Sequence, residues 1–125
     1  MIDHVNFQMP ERLARECATF YELLGFARME PPAELGQRSI WLSGGTAALH
    51  LEFALADGSA VSVAPLGGPG HVAIVVPEYA RVRAALRAAG VTVDQRTEYW
   101  NSPRCFVADP AGNRLELMEF APPPG

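Results

Sequence analysis

The chain of 125 residues contains no lysine; all ten of its basic residues are arginines. Schiff-base chemistry, a lysine general base and the lysine of a phosphate-cradling P-loop are therefore excluded, because arginine replaces lysine in none of them. Cysteine is nearly absent as well. Cys17 and Cys105 lie far apart with no CxxC pairing, which argues against a zinc knuckle or a disulfide framework and leaves core thiols as the reading. No run approaches the roughly 18 apolar residues of a spanning helix, and the N-terminus lacks a charged-then-apolar leader pattern, so the expectation is a cytoplasmic protein with no membrane partner. A basic face is also missing. The formal net charge of −4 argues against a nucleic-acid partner.

About half of the residues are apolar, enough for one domain with a core of its own. Residues 2–9 alternate as a strand, with Ile2, His4, Asn6 and Gln8 on one face. Pro10 ends it. From Glu11 to Leu24, apolar residues at Leu13, Cys17, Phe20 and Leu24 recur at helical spacing, and Gly25 suits the cap beyond the last turn. Short strands are expected at Phe26–Glu30, Gln37–Leu42 and Ala47–Phe53, the last with Leu49, Leu51 and Phe53 toward the core and His50 and Glu52 on the opposite face. Residues 55–69, rich in Gly and Pro, read as the linker.

The pattern then begins again. A strand over His71–Val76 is closed by Pro77, a helix over Glu78–Ala89 turns Val82, Leu86 and Ala89 inward, and Gly90 ends it as Gly25 ends the first. Strands over Val91–Gln95, Arg104–Ala108 and Leu115–Phe120 follow. The spacing between corresponding landmarks is nearly constant: 67 from His4 to His71, 65 from Gly25 to Gly90 and 66 from His50 to Glu116. This is an internal duplication of a βαβββ unit. The fold class read from it is α+β, two βαβββ modules forming a cupped mixed sheet with helices outside. Module one covers 1–54 and module two 70–120, with a tail at 121–125, in a single domain.

The turn Asp109-Pro110-Ala111-Gly112-Asn113 is dense in turn-forming residues and presents Glu116 between Leu115 and Leu117. A carboxylate buried there calls for a cation. His4, His50, His71 and Glu116 fall at the first and last strands of the two repeats. Three imidazoles and a carboxylate suit a divalent metal ion, Zn, Ni, Fe, Co or Mn, with positions left open for chemistry. Taken singly, a strand histidine is more often a satisfied structural residue; it is the repeat-equivalence that favours the metal reading. Glu52 shares the face of His50 as a candidate base or supporting carboxylate. Arg38, Trp41, Trp100 and Arg104 are candidates for the wall of the pocket.

The paired βαβββ pattern, Asp3-His4-Val5 and Gly70-His71-Val72-Ala73 at the openings, and Asp109-Pro110-x-Gly112-Asn113-Arg114-Leu115-Glu116-Leu117 at the close resemble the vicinal oxygen chelate superfamily, which includes glyoxalase I, bleomycin-resistance proteins, fosfomycin-resistance thiol transferases and extradiol dioxygenases. The resemblance implies His4, His71 and Glu116 as metal ligands, with His50 where glyoxalase I has a further glutamate. It also implies a small-molecule substrate, a homodimer, and a glyoxalase-like lyase or isomerase that works through an enediolate-type intermediate, with Glu116 or Glu52 moving the proton. Gln8 and Ala54 depart from the residues that accompany glutathione in bacterial glyoxalase I, which weakens a glutathione hemithioacetal as substrate. The alternatives are a metal-free drug-sequestering protein of the bleomycin-resistance type and a thiol transferase of the fosfomycin-resistance type. Dioxygenase chemistry suits two histidines and a carboxylate but normally comes with a longer chain.

Overall fold

A computed structural model describes residues 1–54 and 70–124, so the expected linker at 55–69 lies outside the described residues. The chain divides into two compact units, Met1–Ala64 and Pro65–Gly125. Each carries one βαβββ module built on a mixed four-stranded sheet, as the repeat predicts.

In the first unit, β1 (His4–Met9) leads through Pro10 into α1 (Glu11–Leu23), followed by β2 (Ala27–Met29), β3 (Ser39–Ser43) and β4 (Ala48–Phe53). The sheet order is β1-β4-β3-β2, with β1 parallel to β4 and the remaining pairs antiparallel. Helix α1 packs on β4, β3 and β2. It buries Ala14, Cys17, Ala18, Phe20 and Tyr21, while the sheet contributes Phe7, Met9, Leu42, Leu49 and Leu51 to the core. The outer side of α1 carries the ion pairs Arg15–Glu11 and Arg12–Glu16, each one turn apart and worth only about 0.3–0.5 kcal/mol in such exposed positions. Gly25 sits at φ +107° just past the helix, a left-handed conformation that a side chain would strain.

In the second unit the elements are β5 (Val72–Val75), α2 (Tyr79–Ala88), β6 (Asp94–Arg96), β7 (Arg104–Ala108) and β8 (Arg114–Met118), in the sheet order β5-β8-β7-β6. Val82 and Leu86 are buried as the helical spacing predicts, but Ala89 is exposed. The helix ends at Ala88; Ala89 keeps a near-helical backbone with its N–H on the Ala85 carbonyl at 3.0 Å, but it stands exposed at the end of the helix, where the chain turns at Gly90 (φ +82°). The last strand also stops earlier than Phe120: the Glu119 N–H is shared between the Pro103 carbonyl at 3.3 Å and Ser102 Oγ at 3.1 Å, and the Phe120 N–H donates to Ser102 Oγ at 2.9 Å. Likewise, β6 begins at Asp94 rather than Val91, and Phe26–Glu30 shrinks to the three residues of β2.

Both thiols are free and buried. Cys105 neighbours the Tyr79 hydroxyl, which also meets the side chain of Gln95. Among the described residues, no helix is long and apolar enough to cross a membrane.

Two stability outcomes follow from this packing. Gly44→Ala would place a Cβ 2.5 Å from Phe26 Cε1, so it should cost about 1–3 kcal/mol in urea denaturation. Burial pushes the Tyr79 phenol from its ordinary 10.0 up to about 12, with Cys105 adding to the rise and Gln95 opposing it. The unfolded chain releases this proton near pH 10 while the folded chain retains it, so the stability present below pH ~10 drains away as pH rises through the folded value. Equilibrium unfolding in that alkaline range should fall less steeply for Tyr79→Phe than for the wild type.

Candidate metal and ligand site

The parallel pairing of first and last strands sets which polar residues meet. In the first unit Asn6 lies opposite His50, and β3 brings Trp41 opposite the same histidine. His50 is consequently held in a stack: its ring lies 3.8 Å from Trp41 at an interplanar angle of 4°, and 4.0 Å from His4 at 16°. Burial, followed by the neighbouring His4, lowers the pKa of His50, with Asp3 opposing, so at neutral pH its imidazole is neutral. His4 Nδ1 meets Asp3 Oδ2 at 2.8 Å, an arrangement that orients the ring and leaves Nε2 for another partner.

Glu52, two residues along β4, accepts a hydrogen bond from Asn6 Nδ2 at 3.3 Å. With His50, Trp41, Arg38, Ser39 and Asn6 it lines a concavity of about 90 Å³. That volume accommodates a few waters or one substituent, since a water occupies about 30 Å³ in the liquid. Both Arg38 and Trp41 thus stand where a pocket wall was expected, on the face of His50 and Glu52.

The second unit repeats the geometry with different chemistry. Ala73 lies opposite Glu116 and Phe106 opposite the same residue from β7, as Asn6 and Trp41 lie opposite His50. His71, two residues before Ala73, places Nε2 3.7 Å from Glu116 Oε2 and sets its ring edge-on to Phe106 at 4.9 Å. Glu116 is 7% exposed. The cation that its burial calls for is present within the protein: Arg104 Nε stands 3.5 Å from Oε1. This is an ion-pair distance without hydrogen-bond alignment, and Arg104 Nε is otherwise an orphaned buried donor. Arg104 Nη1 donates to the Thr97 carbonyl at 2.8 Å.

The turn before β8 is built by Asp109. Its carboxylate accepts from the Ala111 and Asn113 backbones and from Asn113 Nδ2, all at 2.9 Å, while Gly112 takes φ +90°. Trp100 is anchored through Nε1, which donates to the Phe120 carbonyl at 2.8 Å, and the Arg104 guanidinium carbon lies 6.0 Å from its ring centroid.

His4 and His50 therefore meet within the first unit, and His71 and Glu116 within the second. Among the described residues no group of three or more His, Cys, Asp or Glu gathers into a metal-holding cluster. The ion pairing of Arg104 with Glu116, and the roles of Trp41 and Phe106 as ring neighbours, escaped sequence reading, although for the two rings a signal existed. A hairpin centred on Gly45-Thr46 pairs 41 with 50, and one centred on Ala111 pairs 106 with 116, so the exact turn position sets both registers.

The family model described as Glyoxalase/Bleomycin resistance protein/Dioxygenase superfamily matches residues 2–117. A solved protein from Bacillus anthracis assigned to the glyoxalase family is 28% identical, with a TM-score of 0.77 over 94% of this chain and 93% of that one. Lactoylglutathione lyase from Agrobacterium tumefaciens, at 17% identity and a TM-score of 0.65 over 94% and 92%, shares the fold. So does Oxidase ChaP-H2, at 16% and 0.70 over 97% and 94%. A search of the curated proteins finds no match to the chain.

With side chains of Arg104 and Glu116 only 13% and 9% exposed, removing one partner strands the other's charge. Arg104→Met should lower the unfolding free energy by about 3 kcal/mol, whereas Arg12→Met, at an exposed pair, should change it by less than about 1 kcal/mol. Urea denaturation of both variants at pH 7 checks the contrast.

Proposed function

Because the chain belongs to the Glyoxalase/Bleomycin resistance protein/Dioxygenase superfamily, we propose that it is a divalent-metal-dependent lyase or isomerase of the glyoxalase type, acting on a small substrate with two neighbouring oxygens. The observation that carries this reading is the pairing of His71 Nε2 with the buried Glu116 carboxylate at 3.7 Å. Two ligands about 2.1 Å from one ion, at tetrahedral or octahedral angles, stand about 3–3.5 Å apart, so these donors need to close by only a few tenths of an ångström. His4 suits a third ligand, since Asp3 holds its Nδ1 and directs Nε2 outward, the usual second partner of a ligating imidazole. His50 fits less well beside His4. In nearly parallel rings 4.0 Å apart, the nitrogen lone pairs lie in separate planes and do not converge on one ion. Within the second unit we assign His71 and Glu116 as ligands; His4 enters as a third ligand on the family resemblance alone, and His50 is assigned to the concavity of the first unit.

A divalent ion held there supplies a Lewis acid for the two substrate oxygens. His50 is covered on both faces by Trp41 and His4, so the flat surface for a planar substrate is the outer face of Trp41, with Arg38 an exposed cation near it. The proposal includes a homodimer as the working form and no nucleic-acid or membrane partner.

A second reading, metal-free sequestration of an aromatic compound, is favoured by the Trp41–His50–His4 stack, whose terminal rings leave an outer face for a further ring without requiring an ion.

Metal titration of untagged protein separates the two. One divalent ion per chain is expected, with affinity reduced at least about tenfold in Glu116→Gln and in His71→Ala, since even supporting residues of metal sites are worth that much. Undiminished stoichiometric binding by both variants would refute the ligand assignment. An absence of binding in the wild type, together with uptake of aromatic ligands, would favour sequestration.

A further inference from the structure

Three of the ten arginines crowd one aromatic ring in a protein whose net charge is −4. Around Phe106, itself 8% exposed, the guanidinium carbons of Arg114, Arg96 and Arg104 stand 4.0, 5.0 and 5.7 Å from the ring centroid. Arg96 and Arg104 are directly opposite each other on β6 and β7, a like-charged cross-strand pair that is unfavourable unless compensated. Two carboxylates offset these two cations. Asp94 holds Arg96 at 2.7 Å, and Glu116 faces Arg104 at 3.5 Å.

Arg114 is the third cation, and no carboxylate or hydrogen-bond acceptor among the described residues engages it. What it does have is the shortest ring contact of the three. Arg114 is part-buried with its guanidinium carbon 4.0 Å from the Phe106 centroid, a cation–π contact that engages the charge through the ring and leaves the N–H fork without a carboxylate partner among the described residues. That fork matches the two oxygens of a carboxylate or a phosphate, and holding it in advance on the ring removes much of the entropic cost of using it. Arg114 is also two residues before Glu116 on β8, so strand alternation puts both on one face.

We propose that Arg114, held on Phe106, receives an oxyanion group of the ligand, which makes the substrate of this protein an anionic small molecule. The inference rests on the family-level reading that the Glu116 face is the ligand-binding face, and it deepens that reading by naming the substrate class. Arg114 acts as a binding and specificity residue; the proton-moving groups remain those given above.

The test is isothermal titration of benzoate, phenyl phosphate and the neutral benzamide into wild type, Arg114→Gln, Arg114→Lys and the surface control Arg12→Gln. Wild type and the control should bind one or both anions more tightly than benzamide. Arg114→Gln should weaken anion binding about tenfold or more and leave benzamide unchanged, the loss expected for a charge-assisted hydrogen bond. Arg114→Lys should fall between, because it keeps the charge and loses the planar fork. Whichever anion binds more tightly identifies the oxyanion as carboxylate or phosphate. Equal anion binding by wild type and Arg114→Gln, or no anion binding by wild type, would overturn the inference. Should Arg114→Gln fail to fold in a thermal melt, the anion-to-benzamide ratio of Arg114→Lys decides the matter, an unchanged ratio counting against the proposal. Metal titration of the same proteins tells the two readings apart: anion binding that depends on Arg114 in a protein that takes up no metal leaves this inference standing and the metal assignment refuted.

Discussion

The structure depends on the parallel pairing of the first strand of each βαβββ module with the last. A parallel pair needs a long crossover, here supplied by a helix and two further strands, and it brings together residues more than forty positions apart in sequence. Because side chains alternate along a strand, the register Asn6 to His50 in one module and Ala73 to Glu116 in the other also settles which residues share a face. The pairs His4–His50 and His71–Glu116 follow from that single constraint applied twice.

Duplication preserves geometry more strictly than chemistry. The two registers correspond position by position, yet the residue central to each site is an imidazole in one module and a carboxylate in the other. The ring opposite it is Trp41 in the first and Phe106 in the second. An indole lying parallel to His50 makes a neutral, flat surface and helps to desolvate the histidine. A phenyl ring beside Glu116 instead gathers arginines, whose charge makes the carboxylate's burial tolerable. One module thus presents a π-face and the other an electrostatic face.

Glu116 illustrates how a buried charge shapes its surroundings. Its carboxylate is flanked by Leu115 and Leu117, which point to the core, and is itself turned to the opposite face beside His71 and Arg104. Arg104 stands at ion-pair distance but off hydrogen-bond alignment, and its buried Nε is left without an acceptor. A carboxylate gripped by a fully aligned guanidinium would be poorly available to anything else; this one retains lone pairs for another cation.

Much of this was legible in the sequence. Constant spacings between histidines and capping glycines announced the duplication, helical and alternating periodicity placed the two helices and the eight strands, and the two lone cysteines read correctly as core thiols. Strand ends were less legible. Whether β8 runs to Phe120 depends on Ser102, a residue distant in sequence that captures two backbone donors, and Ala89, still near-helical, is exposed because it stands at the helix end before Gly90. By itself the sequence determined the repeat, the fold class and the chemical types available at the site, because periodicity and turn residues act locally. Tertiary structure alone decided that His50 is sandwiched between rings, that Arg104 answers Glu116 and that Arg114 rests on Phe106. Those contacts join different strands: turn position sets the hairpin registers, but which side chains then touch depends on parallel pairing and packing across strands, which no local pattern encodes.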